Sequence, residues 1–244
     1  MKKGLKKTDI IHKFHADFYD YMIKGGFPEI IFLDTPTRIR VLQDYVEVVI
    51  FRDIIERYNI SNIALVKYMI KTILHSTGRQ LSINKLYNNI KSQGIKIGKN
   101  TLYNYLAYIE DCYFAFTVPV YKQSLRAVQS NPKKVYVVDT GLIKALTLRK
   151  EDYGSLFENI VYLSLRRNQY DVYYYLTKDR YEVDFLAKDI FGNLRLFQVF
   201  YDMKEQSTFE REKRALDIAK NELGMDGEII TPENYLKFID SISV

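Results

Sequence analysis

The spacing of apolar residues predicts helices in the first sixty positions of the chain. Four apolar residues recur at i, i+4, i+7 and i+8, the spacing of one helix face: Phe14, Phe18, Tyr21 and Met22. Gly25 and Gly26 end this helix, and Pro28 prevents it from continuing. A second helix is predicted from Thr37, with an apolar face made of Val41, Tyr45, Val48, Phe51 and Ile55.

Residues 61–145 have the pattern of a winged helix. Ser82 stands where an N-cap is expected, and Gly94 closes the helix that follows it. A third helix begins near Lys99, with Leu102, Leu106 and Ile109 on its core face, and two strands follow, YFAFTVPVY and KKVYVV. In such an arrangement the second helix of the helix-turn-helix fills the major groove of DNA.

Two surfaces of this winged helix carry the candidate nucleic-acid-binding residues. The helix face turned away from the core has polar and aromatic side chains: Lys99, Asn100, Tyr103 and Asn104. The loop between the two strands has basic residues suited to backbone phosphates: Lys122, Arg126, Lys133 and Lys134. A simpler interpretation stays open, because exposed Asn and Tyr residues often only cover a core edge, and winged helices also bind proteins.

The last part of the chain changes to strand-like spacing. Residues 154–167 predict a mostly apolar helix that carries Glu158, and the strands DVYYYLT, YEVDFLA and LRLFQVFY follow. The turn-like segment KDIFGN favours a hairpin that pairs residue 186 with residue 196. In that register one side of the sheet carries two facing pairs, Asp184 with Gln198 and Glu182 with Phe200. The segment GEIIT predicts a further strand of this sheet.

Together these elements predict a mixed α/β protein in three parts. The parts are a helical region over residues 1–60, a winged-helix domain over 61–145 and an α/β domain over 146–244. A chain of 244 residues is long enough to bury a sizeable core in such an arrangement.

Basic residues are concentrated in the middle of the chain. The net charge is +6, but residues 61–150 carry fourteen Lys and Arg against three Asp and Glu. Residues 151–244 carry twelve against eighteen. Such an excess of positive charge is typical of a module that binds a polyanion, so DNA is the expected partner. The alternative is that the basic part docks onto an acidic surface, including that of its own last third.

The remaining sequence features indicate the expected compartment of the protein and whether it carries a cofactor site. The single Cys112 excludes an internal disulfide and fits a reducing compartment. No apolar run approaches the roughly 18 residues of a membrane span, so a cytoplasmic protein without a membrane partner is expected. The segment from Gly94 to Thr101 is one residue too short between its glycines for a P-loop and lacks the Ser or Thr after its lysine. No cofactor is therefore expected in this chain, and its oligomeric state stays open.

Phe-Glu-Asn on a helix, Glu-Val-Asp on a strand and a third strand resemble the core of PD-(D/E)xK nucleases. The resemblance implies a restriction-endonuclease-like fold with Glu158 and Asp184 as metal ligands. In that family the third strand carries Glu-x-Lys, whereas here the triplet is Gln198-Val199-Phe200. An amide replaces a metal-binding carboxylate and an aromatic ring replaces the catalytic lysine. The expectation is a degenerate site in which no residue is assigned a catalytic role and the Gln198 amide donates a hydrogen bond to Asp184.

Further motifs are similar to the C-terminal half of a prokaryotic AAA+ ATPase family. They are GGFPE, FRDIIERY, NPKKVYVVDTGL and the Gln-Val-Phe-Tyr-Asp sequence, and their order covers about residues 14–236. The resemblance implies that ATP and Mg²⁺ belong to a separate ATPase module, which is then an expected partner. The chain is accordingly expected to be a truncated form of a larger ATPase, the product of a split gene or a gene remnant.

Three functions stay open at this point. The leading one is a nucleic-acid-binding portion of an AAA+-type ATPase with a nuclease-like domain that does not cleave. The second is a metal-dependent nuclease using Glu158, Asp184 and the Val199 carbonyl, with Lys188 or Lys204 supplying the missing charge. The third is a protein-interaction or regulatory module in which the basic and acidic thirds pair.

Overall fold

The computed structural model describes residues 7–122, 124, 128, 131–147, 152–202 and 205–243. Within these residues the chain forms nine α-helices and two small sheets, which confirms the mixed α/β class. No helix in this part of the chain has the length and apolar character needed to cross a membrane.

The N-terminal region is helical, as predicted. Helix α1 spans Lys7–Lys24, a short 3-10 turn spans Pro28–Ile30, and helix α2 spans Thr35–Val48. The Asp34 carboxylate caps α2 by accepting a hydrogen bond from the Thr37 amide at 2.8 Å. Beyond α2 the helix continues without a break as a wider π-helical stretch over Val49–Glu56.

The apolar face predicted for this long helix was wrong: the buried face is rotated by a small angle about the helix axis. Val48 and Phe51 are 48% and 42% exposed, whereas the buried residues recur every four positions: Arg38, Leu42, Val46, Ile50 and Ile54. A regular α-helix has 3.6 residues per turn, so positions four apart drift around its axis. The wider π-helical turns remove this drift and keep the last two residues of the series in the core.

The middle of the chain contains the predicted helices and strands in the predicted order. They are α3 (Ile63–His75), α4 (Ile83–Ser92), α5 (Lys99–Asp111), β2 (Ala115–Val118) and β3 (Lys133–Val137), with a short β1 (Gln80–Leu81) between α3 and α4. The sheet order is β1-β3-β2 and all pairs are antiparallel. Ser82 caps α4 as expected, since its hydroxyl accepts from the Lys85 amide at 3.3 Å.

The last part is a four-stranded sheet with helices on both faces. The elements are α6 (Gly141–Leu146), α7 (Tyr153–Arg167), β4 (Asp171–Leu176), β5 (Glu182–Lys188), β6 (Leu194–Val199), α8 (Gln206–Leu223), β7 (Gly227–Ile230) and α9 (Tyr235–Ile242). The order is β4-β5-β6-β7, with β7 parallel to β6. Leu186 pairs with Leu196, which confirms the predicted hairpin register.

One hydrophobic cluster runs through all three predicted parts. It extends from Phe18 of α1 to Ile242 of α9, and it includes residues of both sheets. A smaller cluster fills the space between the second sheet and α8: Val183, Leu186, Leu196, Ala215, Leu216 and Ala219. The proposed domain boundaries therefore fall within a continuous core, and the last sheet is fixed relative to the basic part.

Asp139 joins the N-terminal helices to the middle of the chain. Its carboxylate accepts hydrogen bonds from the backbone amides of Gly26 at 2.6 Å and Gly141 at 2.8 Å. Burial raises the pKa of Asp139, although these amide donors lower it. Gly25 has a φ of +89° at this point, and a Cβ there would collide with the Asp139 carboxylate. The motifs GGFPE and VVDTGL thus meet around one buried carboxylate.

The Asp139→Ala variant should lose about 2 kcal/mol of unfolding free energy, because two amides lose their acceptor inside the protein. Urea denaturation followed by circular dichroism measures the change. The exposed Asp217 of α8 gives the matched control, Asp217→Ala, for which no comparable loss is expected. Equal stability of the two variants would contradict the role given to Asp139.

Candidate functional site

The candidate site is a buried ion cluster centred on Lys134. The Lys134 Nζ lies 2.6 Å from Glu158 Oε1, 2.9 Å from Asp184 Oδ1 and 3.0 Å from Glu182 Oε1. The lysine is 1% exposed. The structure therefore brings the two predicted carboxylates, Glu158 and Asp184, together, and it adds a third carboxylate and an ammonium group between them.

Three elements position this cluster. Lys134 lies on β3, the central strand of the first sheet, where it pairs with Gln80 of β1 and Val118 of β2. Glu158 comes from the second turn of α7, and the other two carboxylates come from the start of β5. The side chain of Gln80 also donates to Glu182, at 2.6 Å. The cluster therefore links the basic middle part of the chain to the acidic last part.

Asp184 is held by two further contacts, neither of which is the one predicted. Its Oδ2 accepts from the backbone amide of Val199 at 2.9 Å. The expected donation from the Gln198 amide to Asp184 was wrong, because that amide donates to Glu212 at 2.6 Å instead. The Gln198 Oε1 accepts from the Asp184 backbone amide at 3.2 Å. Gln198 thus joins the backbone of β5 to Glu212 of α8, and the Asp184 carboxylate is left to Lys134 and the Val199 amide.

Burial and charge act in opposite directions on the ionisable groups. Burial raises the pKa of Glu158 to about 8, while the Lys134 ammonium pulls it down. Burial alone would lower the pKa of Lys134, but the surrounding acidic groups, Asp184 foremost, outweigh it and raise that pKa well above its usual value. The lysine is accordingly charged. Glu158 still accepts from the Tyr136 hydroxyl at 2.7 Å, since a protonated carboxyl keeps an acceptor oxygen.

The residues present do not fit a divalent cation in this arrangement. The point between the carboxylate oxygens, where a cation would bind, is taken by the ammonium of Lys134. The second oxygen of Asp184 and the amide oxygen of Gln198 already accept backbone hydrogen bonds. Across the described part of the chain, no group of three or more His, Cys, Asp or Glu is arranged to hold a metal ion.

Of the two lysines proposed for a nuclease, the structure describes only Lys188, which does not reach this cluster. Lys188 is exposed at the far end of β5, four residues from Asp184, which is about 13 Å along a strand. Lys204 lies outside the described residues. The ammonium that the structure does place among the carboxylates belongs to Lys134, a residue assigned to the wing.

An acidic cleft of about 600 Å³ opens beside the cluster. The described residues that line it include no Lys or Arg and six acidic residues: Asp152, Glu158, Asp184, Asp202, Glu205 and Glu212. Phosphate groups bind where cationic side chains replace their counterions. The cleft therefore disfavours a nucleic-acid backbone at the position where a nuclease would hold it.

The predicted residues on α5 lie together on an exposed surface that carries positive charge, in contrast to the acidic cleft. Lys99, Asn100, Tyr103 and Asn104 are all exposed, and the Lys99 Nζ lies 5.8 Å from the centre of the Tyr103 ring. The other face of α5 is buried through Leu102, Tyr105, Leu106 and Ile109. Tyr103 is 42% exposed and is available for stacking.

The predicted wing residues divide into three groups. Lys122 is exposed and Lys133 is partly exposed. Arg126 lies outside the described residues. The assignment of Lys134 to a phosphate-binding loop was wrong, because this residue is buried within β3 and its ammonium contacts carboxylates.

The role of Lys134 was missed, although the sequence holds a signal for it. Lys133 and Lys134 are adjacent, and neighbouring side chains on a strand point to opposite faces. Tyr136 shares the face of Lys134 and is also fully buried. One of two adjacent lysines at the start of an apolar strand must therefore point inward, toward carboxylates that can neutralise it.

Fold and site together define a mixed α/β protein with a buried lysine–carboxylate cluster and a separate cationic helix face. Residues 15–153 match the family model of a domain of unknown function, DUF8612, so the chain belongs to that family. Residues 153–235 match a second domain of unknown function, DUF4143. DUF4143 occurs in C-terminal regions associated with AAA ATPases.

Two curated relatives are similar over most of the chain. An uncharacterised protein of Methanocaldococcus jannaschii is 33% identical over 227 residues, which cover 91% of this chain and 49% of the relative. An uncharacterised protein of Haemophilus influenzae is 23% identical over 202 residues, which cover 82% and 49%. The chain thus spans about half the length of these relatives. No solved structure matches it significantly.

The raised pKa of Glu158 predicts a pH-dependent stability. Between about pH 4.5 and 8 the folded protein holds a proton on Glu158 that the unfolded chain releases, so the unfolding free energy contributed by this residue falls as the pH rises. The Glu158→Gln variant lacks this titration. Urea denaturation of both proteins from pH 5 to 8 should show the wild type losing stability relative to the variant. If the difference in unfolding free energy between the two proteins stayed constant across this range, the raised pKa of Glu158 would be contradicted.

Proposed function

We propose that the chain is a nucleic-acid-binding portion of an AAA+-type ATPase, and that its α/β part does not cleave. One observation carries the binding proposal: the exposed cationic and aromatic face of α5, formed by Lys99, Asn100, Tyr103 and Asn104. This face combines a positive charge for phosphates, an exposed ring and two amides that can contact base edges.

The order of elements supports a winged-helix interpretation. Helix α4 is followed by the short connection 93–98, then by α5 and by the strands β2 and β3. In a helix-turn-helix the second helix enters the major groove, and a strand loop beside it contacts the backbone. In this proposal helix α5 enters the major groove, and Lys122 and Lys133 contact the phosphate backbone.

The charges around α5 also support nucleic-acid binding. Lys91 lies in the last turn of α4, Lys96 lies before α5 and Lys99 begins it, and all three are exposed. None of the ion pairs formed by the described residues involves these lysines. Their charge is therefore available to replace counterions on a polyanion.

The lysine–carboxylate cluster supports the proposal that the α/β part does not cleave nucleic acid. A metal-dependent phosphodiesterase uses its cation to neutralise charge on the phosphate. Here Lys134 takes the place of that cation, and the adjoining cleft is acidic. A scaffold that contacts other parts of the protein fits this arrangement better than a cutting centre does. The association with an ATPase is supported by the occurrence of DUF4143 in such proteins.

A protein-interaction module is the second candidate, because the basic and acidic thirds do form pairs. Arg79 contacts Asp152 at 3.0 Å, in addition to the contacts of Lys134. These pairs leave the lysines around α5 uncovered, so they account for only part of the basic excess.

Fluorescence anisotropy with a labelled DNA duplex tests the binding proposal. The Lys96→Ala/Lys99→Ala variant should bind more weakly than the wild type at low salt, and its slope of log affinity against log salt should be shallower by about two. The matched control replaces two exposed lysines of the last third, Lys213→Ala/Lys237→Ala. Absence of wild-type binding to DNA or RNA at low salt, or an equal loss in the control, would refute the proposal.

Incubation with plasmid DNA and Mg²⁺ or Mn²⁺ tests the non-cleaving part. We expect the plasmid to stay intact with the wild type, because the cation position is filled by Lys134. The Asp184→Ala variant serves as the control for contaminating nuclease. Cleavage by the wild type that disappears in this variant would favour the metal-dependent nuclease instead.

A further inference from the structure

We propose that the chain recognises adenine in the major groove of duplex DNA, through the side-chain amides of Asn100 and Asn104 on α5. Such recognition rests on the proposed nucleic-acid binding and extends it, because it names the kind of nucleic acid and the base. The expected target contains A·T pairs spaced about two base pairs apart.

The geometry of one helix face carries the proposal. Asn100, Tyr103 and Asn104 are all exposed on α5, while Leu102 and Leu106 are buried on its other side and fix the direction of the exposed face. Positions four apart in an α-helix lie about 40° apart around the axis and about 6 Å apart along it. Since base pairs of B-DNA are stacked about 3.4 Å apart, the two amides match base edges roughly two steps apart.

The chemistry of the exposed side chains selects the base. An asparagine amide forms two hydrogen bonds with adenine, because its NH₂ group donates to N7 and its oxygen accepts from the N6 amino group. Guanine is contacted chiefly by arginine or lysine, and cytosine by carboxylates. The one arginine of residues 61–122, Arg79, contacts Asp152 at 3.0 Å, and residues 61–109 contain no Asp or Glu. The one basic residue of α5, Lys99, is assigned to phosphate in the proposed function.

Both amides are available to a ligand. Elsewhere the fold uses such groups: the Asn159 side chain accepts from the backbone amide of Val137 and donates to its carbonyl. Among the described residues, no partner of this kind engages Asn100 or Asn104. Asparagine is also a weaker helix former than alanine or lysine, so the stability of α5 does not account for either residue.

The same helix face favours duplex DNA over the other nucleic acids. The major groove of B-DNA admits an α-helix, whereas that of A-form RNA is too deep and narrow for side chains to reach the bases. A single strand is held by successive bases stacked on aromatic rings. Helix α5, which is described in full, exposes one ring, that of Tyr103, and so offers no such series.

Competition fluorescence anisotropy with the full chain at one low salt concentration tests this recognition. The probe is a labelled A·T-rich duplex, and three duplexes of equal length compete with it: a G·C-rich DNA, an RNA of the probe sequence, and the probe DNA with an adenine analogue in which carbon replaces N7. This analogue changes the major groove and leaves the minor groove unaltered. The wild type should prefer the unmodified A·T duplex to all three, by about tenfold or more over the G·C duplex.

The Asn100→Ala/Asn104→Ala variant should bind the three DNA duplexes with nearly equal affinity, because its lysines still contact phosphates. Alanine is the better helix former at both positions, so the variant should fold. The control is Asn221→Ala, which removes an exposed asparagine of α8 and should keep the wild-type preference.

Three results would overturn adenine recognition while leaving nucleic-acid binding intact. They are equal wild-type affinity for the A·T-rich and G·C-rich duplexes, undiminished binding to the analogue, and a preference that survives the Asn100→Ala/Asn104→Ala substitutions. Equal or tighter binding of the RNA duplex would overturn the assignment to the DNA major groove. A wild type that binds none of the duplexes would overturn both this recognition and the proposed function.

Discussion

The structure depends on one buried charge, the ammonium of Lys134, which neutralises carboxylates from a different part of the chain. A fully buried lysine is stable only when its charge is paired, and here the carboxylates of Asp184 and Glu182 pair it while Glu158 accepts a further contact from its ammonium. Conversely, the acidic groups can converge on one nitrogen because that nitrogen is positive. The cluster joins the first sheet, α7 and the second sheet, which also share one hydrophobic core.

The same interaction separates the two chemical characters of the protein. Positive charge lies inside the molecule at Lys134, where it pairs with carboxylates, and outside the molecule on the face of α5. Negative charge collects in the cleft beside Glu158 and Asp184. This distribution favours a polyanion at the helix face over one at the acidic cleft, and it supports the proposal of binding without cleavage.

Much of the fold could be predicted from the sequence, because local patterns decide it. The Leu186–Leu196 register followed from strand alternation and the turn between them, and the helix caps followed from residues such as Ser82. The face of the helix after Thr35 could not be predicted, since its π-helical turns change the period. The site was half predicted: Glu158 and Asp184 converge as expected, but the partner of Asp184 comes from fifty residues earlier. A contact between distant strands leaves no periodic signal.

The central claim is that an internal lysine occupies the place of a metal ion. A crystal of the wild-type protein soaked in Mn²⁺ and measured at a wavelength where manganese scatters anomalously tests it most directly. The account predicts no anomalous peak among Glu158, Glu182 and Asp184, with the Lys134 ammonium between them. A peak bridging Glu158 and Asp184, with the lysine displaced to one side, would contradict it.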